Sequence, residues 1–524
     1  MTAIKFISLS SAAACAALLA SCGGGSDGTV NSTARQACES IGGTNVPGVG
    51  YVFATPVSAE GVVPNFCKIS GTLSGKLNFE LRLPEVWNGK LHYGGGGGYN
   101  GAIPGVSETI LAALKQGYAT VSSDSGHQAN VFDASFALSD PQAAQLFGSQ
   151  SVPTVMTAAK ALLATAYNTA PTRSYFEGCS NGGREALMSA QRNPTLFDGI
   201  IARAPAYNWT GVMGAFNRNS KAFAAPGGQF SNAKVSLLAG AVRNACDGLD
   251  GITDGVVSNQ AACSAVFDAS ALRCAGGGDT GNSCLSDAQL GVVASWVSPA
   301  VFAGGYRNAG WNLTGNEDDG GAWPLWETGN GNLGSGLQFL FQDTTVKNYL
   351  ARDPAANSLL YSPYDRDPAA LTALAALTAL AALNDATSTD LRPFNGRGAK
   401  LILWHGGNDA ALSVNTTSEY YAGVVSAVGG QGTADGFVRY YVAPGVNHCS
   451  GGPGADDVDL LTALDTWVTK GSAPETLTAQ KLATDGSTEL TRPLCRHPLY
   501  PRYTGPANNA SAAKLAANYV CTAP

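Results

Sequence analysis

The feature that most constrains this chain is a glycine-rich turn at residues 178–183 (GCSNGG), between a strand-like run at 174–176 and a helix-like run at 184–191. A G-x-S-x-G turn of this kind holds its serine on a sharp bend, where flanking glycines leave room for the backbone. The helix that follows directs free N–H groups at negative charge forming beside the serine. The turn therefore predicts that Ser180 is a nucleophile; the alternative is a plain glycine-rich turn with an exposed serine.

Strand-like and helix-like runs alternate around this turn. Strand-like runs lie at 69–83 (with a turn at 71–75), 91–93, 118–123, 200–202, 400–404 and 437–442, and apolar spacing predicts helices over 154–167 and 459–470. Such alternation indicates a mostly parallel sheet with helices on both faces. Together with the serine turn, it predicts an α/β fold with an α/β-hydrolase core.

The middle of the chain has a different pattern, which predicts an insertion. From 208 to 387 strands are hard to find, tryptophans are frequent and Asp, Gly and Asn clusters separate short helices; an Ala, Leu and Thr run at 369–383 suits a buried helix. A chain of 524 residues is long enough for one large domain with a substantial insert. We therefore predict a core in two parts, 36–207 and 388–524, with 208–387 inserted as a lid domain.

The first residues resemble an export signal. Lys5 precedes an apolar, alanine-rich run at 6–19, which is too short to span a bilayer comfortably as a permanent helix. The run ends in LASC at 19–22, similar to the lipobox of bacterial lipoproteins. We predict a lipoprotein signal peptide over 1–22 and a polar tether over 23–35, and hence an outer-membrane-anchored lipoprotein or a periplasmic or extracellular protein. The alternative is ordinary secretion with cleavage near the same place.

Charge and cysteine content bound the partners and the compartment. The net charge of -7 gives no reason to expect nucleic acid or an anionic membrane as a partner, so membrane contact is expected only through the lipid anchor. Of the 12 cysteines, Cys15 and Cys22 belong to the signal, which leaves ten, and an even number in an exported protein indicates disulfides. The sequence does not fix their connectivity, but proximity favours Cys38–Cys67, Cys246–Cys263, Cys274–Cys284 and Cys495–Cys521.

Two residues after the predicted insertion complete a catalytic set with Ser180. In α/β hydrolases the chain order is serine, then an acid, then histidine. Asp409 follows the strand-like run at 400–404, and His448 follows the run at 437–442. A histidine takes the proton of the attacking serine, and an aspartate orients that histidine. We therefore predict that Ser180, His448 and Asp409 are nucleophile, base and acid.

The remaining histidines fit the role of base less well. His92 and His127 precede the serine in the chain, and His497 lacks the position past a strand that His448 has. His405 precedes the acid, so we expect it to line the substrate pocket or to support a loop. For the pocket we also predict Trp209, which closely follows the strand exit at 204–205, and Leu412, three residues after Asp409.

A run of five glycines at 94–98 predicts the other half of an oxyanion hole. Glycine-rich loops allow the backbone to approach a ligand closely, and esterases use such loops to supply N–H donors. We predict that the N–H groups of Gly98 and Asn181 hold the oxyanion. The alternative is a phosphate-binding loop, but no G-K-[ST] or dinucleotide spacing follows.

The two cysteines not paired by proximity stand beside the predicted nucleophile and base. Cys179 directly precedes Ser180, and Cys449 directly follows His448. If serine and histidine lie within hydrogen-bond reach, these neighbours can fall within the ~4.4–6.8 Å Cα spacing of a disulfide. The double adjacency favours a Cys179–Cys449 bridge over two unrelated structural cysteines.

This Cys-Ser, Asp, His-Cys arrangement resembles the tannase/feruloyl esterase family, in which a disulfide joins the neighbours of the serine and the histidine. The resemblance is carried by residues 178–185 and 447–454 and extends over nearly all of the mature chain, less well in the lid. It implies a carboxylic ester hydrolase outside the cytoplasm that acts on small esters of aromatic acids such as gallate or ferulate. The rivals are a lipase or peptidase on the same core, or a catalytically silent lipoprotein that binds aromatic ligands. Oligomeric state stays open.

A terephthalate monoester is an alternative substrate, since one member of the family hydrolyses it. That member has a glutamate after the nucleophile, where this chain has Asn181, and a lid arginine that binds the free carboxylate. The matching stretch here, 327–350, contains no arginine. Arg307 or Arg352 could take this role, but nothing in the sequence places them. The sequence therefore favours a broader aromatic ester.

An acidic loop at 246–256 predicts a calcium site. Three carboxylates crowd into it, and two backbone carbonyls could complete a shell of hard oxygen ligands; the set is Asp247, Asp250, Ile252, Asp254 and Val256. The spacing is not that of an EF-hand, and the alternative is a run of Asp-Gly turns. The family resemblance implies a structural calcium ion on this pattern in the lid, and no organic cofactor.

Overall fold

The computed structural model describes residues 32–41, 45–46, 48–106, 108–361, 364 and 371–524. The predicted signal peptide and most of the predicted tether lie outside these residues. The tether was predicted to reach residue 35, but a helix, Ser32–Ile41, already begins at Ser32. Cys38 in this helix is bonded to Cys67, which fixes the helix to the sheet.

A nine-stranded sheet forms the centre of the molecule. Its strands are β1 (Val49–Val57), β2 (Phe66–Leu73), β3 (Leu77–Pro84), β4 (Lys90–Gly94), β5 (Ala119–Ser123), β6 (Arg173–Ser180), β7 (Gly199–Pro205), β8 (Lys400–Gly406) and β9 (Val438–Ala443). Their order is β1-β2-β3-β5-β4-β6-β7-β8-β9. All neighbours from β5 to β9 are parallel, whereas β1, β2 and β3 join by antiparallel pairing. This topology confirms the predicted mostly parallel α/β core.

Helices cover both faces of the sheet because its central strands are apolar on both sides. Successive residues of β8 alternate between two hydrophobic clusters: Leu401 and Leu403 face one, and Ile402 and Trp404 face the other. The first cluster is closed by the helices Ser151–Tyr167, Asn181–Arg192 and Val414–Ala427, and the second by Glu108–Lys115 and Leu460–Lys470. Shorter helices of the core are Phe136–Ser139, Pro141–Gln145, Arg392–Gly396, Gln431–Asp435 and Ala510–Ala513.

Residues 206–399, which we call the 206–399 segment, connect β7 to β8, two strands that are direct neighbours in the sheet. It is largely helical, with helices Trp209–Ala224, Asn232–Cys246, Gln260–Val266, Asp287–Val297, Trp323–Trp326, Leu337–Thr345 and Leu371–Asn384 and a two-residue strand pair, Ala300–Val301 with Arg307–Asn308. Its first two helices have 16 and 15 residues, longer than the short helices expected. Most of its buried apolar side chains form one cluster with Tyr99 and residues 134–147 and 410–412 of the core. The lid boundaries at 208 and 387 stay predictions.

Several strands were not predicted. The edge strand β1 was missed, as were the hairpin Leu477–Leu482 with Thr488–Leu494 and the pair Tyr500–Tyr503 with Tyr519–Thr522. These strands are half exposed, and they lack the continuous apolar run of the central strands. The turn predicted at 71–75 lies slightly later, because Gly71 is inside β2 and the bend occurs between β2 and β3 at 74–76. Within the described ranges, no helix combines the length and apolar character needed to cross a bilayer.

Candidate active site

Ser180 is the last residue of β6 and adopts a strained backbone conformation. Its φ is 62° and its ψ is -121°, a region that costs a residue with a side chain about 1–3 kcal/mol. The turn is possible because its neighbours are glycines: a Cβ on Gly178 would lie 2.6 Å from the backbone of Gly182, and one on Gly183 would lie 2.5 Å from the carbonyl oxygen of Arg203. Strand, serine and helix Asn181–Arg192 follow one another as the sequence predicts.

Asp409 and His448 meet at the carboxyl end of the sheet. Nδ1 of His448 lies 2.8 Å from Oδ2 of Asp409. The other carboxylate oxygen, Oδ1, accepts the N–H groups of Ala411 and Leu412, both at 2.8 Å. Burial opposes ionisation of Asp409, but the two neighbouring histidines outweigh it, and together they hold the pKa of its carboxyl below the usual value. The carboxylate is therefore charged and fixed, and it orients His448.

His405 does not line the cavities described below, which corrects its assignment to the substrate pocket. It is fully buried behind Asp409, with Nε2 3.1 Å from Oδ2 of that residue and 3.0 Å from the carbonyl oxygen of Leu412. Its Nδ1 is hydrogen bonded to the hydroxyl of Thr417 at 3.0 Å. Two roles were predicted for His405, and these contacts agree with the second: His405 supports the loop that carries Asp409.

A disulfide joins Cys179 to Cys449, with Cα atoms 5.9 Å apart. It ties the residue before Ser180 to the residue after His448 across 270 positions of the chain. The four other bridges in the structure are the pairs that proximity favours: Cys38–Cys67, Cys246–Cys263, Cys274–Cys284 and Cys495–Cys521.

Ser180 and His448 both line a cavity of about 820 Å³. Trp326 and Phe341 of the 206–399 segment form part of its wall, and the Trp326 ring lies edge-on to His448 with centroids 5.0 Å apart. A smaller pocket beside the serine is lined by Trp209 and Leu412, the two other predicted pocket residues, together with Val212, Met213 and Phe216. A small apolar recess of about 20 Å³, room for about one water molecule, therefore lies next to the serine.

Trp326 and Phe341 are two of the many aromatic residues between 208 and 387, and no local signal separates them from the others. Trp296, Trp311 and Trp323 instead pack on one another, with Trp296 at centroid distances of 4.8 Å and 4.9 Å from the other two rings. His92 and His127 are buried in the core, and burial lowers the pKa of His127 to about 4.

Two backbone N–H groups border the serine without an acceptor in the part of the chain that the structure describes. They belong to Gly98, in the loop after β4, and to Asn181, at the start of the helix that follows Ser180. Gly98 has a φ of +55°, and a Cβ there would lie 2.5 Å from the carbonyl oxygen of Val131. Unpaired donors at a helix start beside a reactive serine suit a developing negative charge.

The cavity offers a substrate carboxylate no unpaired cation among its described lining residues. Arg203 is the one lysine or arginine in this lining, and Nε of Arg203 lies 2.7 Å from Oε1 of Glu177. Arg307 lies outside the lining and is paired with Glu419 at 2.8 Å. Arg352 is also outside it and donates to the carbonyl oxygen of Leu138 at 2.8 Å. Neither arginine therefore reaches the cavity to bind a substrate carboxylate.

The acidic loop at 246–256 has the oxygen donors that calcium prefers. Asp247 and Asp250 are buried, and burial raises the pKa of Asp250 to about 6. The carbonyl oxygens of Ile252 and Val256 accept no hydrogen bond within the described ranges. Asp254 has another partner, because its carboxylate accepts a hydrogen bond from Arg492. As the loop is folded here, no three acidic, His or Cys side chains of the described residues converge tightly enough to form a metal site.

A parallel sheet that carries a strained serine, with a histidine–aspartate pair opening into the same cavity, defines a hydrolase of the α/β class. The model of the family described as "Tannase and feruloyl esterase" matches residues 61–522. The chain is 34% identical to the mono(2-hydroxyethyl) terephthalate hydrolase of Piscinibacter sakaiensis, over 90% of this chain and 87% of that one. The chain therefore belongs to the tannase and feruloyl esterase family, and it is a carboxylic ester hydrolase.

Solved structures share the fold. Feruloyl esterase B from Aspergillus oryzae superposes with a TM-score of 0.79 at 22% identity, covering 94% of this chain and all of that one. The tannin acyl hydrolase from Aspergillus niger gives a TM-score of 0.74 at 21% identity, covering 94% and 95%. The shared architecture extends over nearly the whole chain.

Proposed function

We propose that the protein is a serine esterase that hydrolyses carboxylic esters of aromatic acids through an acyl-enzyme on Ser180. The observation that carries the proposal is that Ser180 and His448 line the same cavity, with His448 hydrogen bonded to Asp409 and an apolar pocket containing Trp209 beside the serine. The family supports the ester chemistry, and its description names feruloyl esters and tannins as the substrate types.

The proton path follows from the hydrogen bond to Asp409. Nδ1–H of His448 donates to the carboxylate, so Nε2 of His448 is free to accept a proton. As the Ser180 oxygen attacks the ester carbonyl, Nε2 takes its proton, and the charged Asp409 stabilises the imidazolium that forms. The imidazolium then protonates the departing alcohol, which leaves the acid esterified to Ser180. Water, deprotonated by His448, attacks this ester and releases the free acid and Ser180.

The charge on the carbonyl oxygen is held by N–H groups. In this proposal the N–H groups of Gly98 and Asn181 donate to the oxyanion in both half-reactions, since both border the serine and have no acceptor in the described chain. One such donor is worth about 10²–10³-fold in turnover in enzymes of this kind.

The surroundings of Ser180 favour an aromatic acid without a second charge. The small pocket beside the serine is apolar and would widen to admit an aromatic ring, and the lining of the larger cavity includes three acidic side chains: Asp456, Asp457 and Asp459. A terephthalate monoester is the second candidate, favoured by the 34% identity to the Piscinibacter enzyme. The pairing of Arg203 with Glu177 argues against it, because a free carboxylate would find no unpaired cation in the described lining.

We further propose that residues 208–387 act as a lid that supplies Trp326 and Phe341 to the site. We also propose that the acidic loop binds a structural calcium ion through the carboxylates of Asp247, Asp250 and Asp254 and the carbonyls of Ile252 and Val256. As the loop is folded here these carboxylates do not converge, so binding would draw them together and release Asp254 from Arg492. Such an ion would cross-link the loop and take no part in ester cleavage. We also propose export to an oxidising compartment, which the five disulfides support, and lipid anchoring through Cys22, for which the support is the LASC run at 19–22.

A substrate panel tests the proposed function. Methyl gallate, methyl ferulate, mono(2-hydroxyethyl) terephthalate and p-nitrophenyl acetate are offered to the wild type and to Ser180→Ala. We expect the neutral aromatic esters to have the highest kcat/KM and Ser180→Ala to lose at least about 10³-fold on each ester. Undiminished turnover by Ser180→Ala would contradict the mechanism. A clear preference for the terephthalate monoester would select the second candidate.

A further inference from the structure

One buried carboxylate links the two proposed oxyanion donors. Glu185 lies on the helix Asn181–Arg192, one turn after Asn181, and is 5% exposed. Among the described residues no lysine or arginine lies within ion-pair distance of it: Arg184 interacts with it only at longer range, and its direct partners are neutral hydrogen-bond donors. A carboxylate without an ion-pair partner is costly to bury unless it accepts hydrogen bonds, so these donors are needed to hold Glu185 in the protein interior.

The donors come from both sides of the glycine loop. Oε2 of Glu185 accepts the N–H of Gly96 at 3.1 Å. Oε1 accepts Nδ2 of Asn100 at 2.8 Å. Gly98 lies midway between these two residues, so the carboxylate holds the loop two positions before and two positions after the proposed donor. The N–H of Asn100 also closes the loop on the carbonyl oxygen of Gly97 at 2.8 Å.

The same carboxylate reaches the second donor residue. Nδ2 of Asn181 lies 3.4 Å from Oε1 of Glu185 and 3.1 Å from Oδ1 of Asn100. Oδ1 of Asn181 in turn accepts Nε of Arg184 at 2.7 Å. The Asn181 side chain is thus fixed from both ends, and its backbone N–H is held in register with the loop that carries Gly98.

We propose that Glu185 is a positioning residue for the oxyanion hole: it sets the spacing between the N–H groups of Gly98 and Asn181 without touching substrate. This inference rests on the proposed function. Oxyanion donors act only if they stand ready at the place where charge develops, so a shift of the loop lowers transition-state binding more than substrate binding. Glu185 acts through geometry, and its loss should appear in kcat.

The test is Glu185→Gln, which keeps the shape and removes one acceptor. A glutamine has one carbonyl oxygen, so either the N–H of Gly96 or the Nδ2 of Asn100 must face an amide NH₂. We expect kcat for methyl ferulate to fall roughly 10–100-fold, with KM changed less than about threefold. Binding of an aryl trifluoromethyl ketone, whose adduct with Ser180 carries an oxyanion, should weaken by the same factor as kcat/KM, whereas inhibition by free ferulate should not change.

Asp198→Asn is the matched control. Asp198 also accepts a backbone N–H, that of Ser174 at 2.8 Å, but at the opposite end of β6. It should leave kcat and ketone binding unchanged within about twofold. If Glu185→Gln does not fold, Asn181→Ala decides the question in the same assays, because it keeps the backbone N–H and removes the side chain that Glu185 and Asn100 hold.

The possible results separate the inference from the function on which it rests. A parallel loss of kcat and ketone binding supports the role of Glu185. Wild-type kinetics in Glu185→Gln would overturn it, even if Ser180→Ala is inactive. So would a variant that binds the ketone and free ferulate equally less tightly and also has a lower Tm, because that result indicates general damage to the fold. Activity that survives in Ser180→Ala would overturn the proposed function itself.

Discussion

Nδ2 of Asn408 donates to Oδ1 of Asn447 at 2.5 Å, and these residues directly precede Asp409 and His448. Asn447 also donates from Nδ2 to Oδ1 of Asp319 at 2.6 Å, so the loop that carries the base is held to the 206–399 segment. With the disulfide at Cys449 on its other side, His448 is fixed by both of its neighbours in the chain.

Asn447→Ala should lower kcat about tenfold with little change in KM. The substitution removes one of the two acceptors of the Asn408 side-chain amide, leaving only the carbonyl oxygen of Asn316 at 3.2 Å, and it loosens the loop that sets the His448–Asp409 distance. Asn415→Ala is the matched control, because Asn415 makes a similar amide bond to the segment, to Asn312 at 3.0 Å, away from the catalytic pair. Equal activity of the two variants in steady-state kinetics would show that the Asn408–Asn447 bond does not position the base.

Removal of the Cys179–Cys449 bridge should affect both stability and turnover. The double variant Cys179→Ala/Cys449→Ala is expected to lose about 2–5 kcal/mol of unfolding free energy, because the bridge closes a long loop. Its kcat should fall as well, since the bridge joins the neighbours of Ser180 and His448. The control Cys274→Ala/Cys284→Ala opens a bridge across only 10 positions and should leave kcat unchanged. A double variant at 179 and 449 with wild-type kcat would limit this bridge to a structural role.

The parts that sequence could predict are those fixed by local chemistry. The turn around Ser180 needs glycines at defined offsets, and buried parallel strands such as β8 need apolar runs, so both leave a pattern in the chain. The order of Ser180, Asp409 and His448 then follows from the fold class. Edge strands such as β1 left no such pattern, because half of their surface faces water.

Other features depend on contacts between distant residues, and no local pattern announces them. Trp326 reaches His448 only through the path of the 206–399 segment. In the sequence Glu185 is an ordinary helix residue, and its proposed role depends on hydrogen bonds to Gly96 and Asn100, which are distant in the chain. For His405 the sequence leaves two roles open, because a position after a strand suits both a pocket residue and a loop support; only the folded chain shows that its ring turns inward to Asp409.

Glu327→Gln should change how stability depends on pH. Glu327 is buried, its oxygens have no hydrogen-bond partner among the described residues, and burial raises the pKa of its carboxyl to about 8. Between about pH 4.5 and pH 8 the unfolded chain releases this proton while the folded protein keeps it, so stability falls as pH rises through that window.

The variant removes this titration. We expect Glu327→Gln to be more stable than the wild type by about 2–5 kcal/mol at pH 8 and similar to it near pH 4.5, measured by urea unfolding across the range. The exposed Glu489→Gln is the control and should leave the profile unchanged. A parallel pH profile for Glu327→Gln and the wild type would contradict this assignment.

Calcium should stabilise the acidic loop without being needed for ester cleavage. We expect EGTA to lower Tm by several degrees and added calcium to restore it, because an ion that binds only the folded loop stabilises it by mass action. Asp250→Asn should abolish this calcium-dependent shift, whereas Asp268→Asn, at an exposed position, should keep it. If neither EGTA nor calcium changes Tm, the acidic loop does not bind calcium.

The most direct test of the central claim is to trap the acyl group. The purified protein is mixed with excess p-nitrophenyl ferulate, quenched in acid within milliseconds and analysed by intact-mass and peptide mass spectrometry. We expect a feruloyl adduct on Ser180 that forms at the same rate as the p-nitrophenol burst and is absent from Ser180→Ala. A feruloyl adduct on another residue, or a burst that persists in Ser180→Ala, would contradict the central claim.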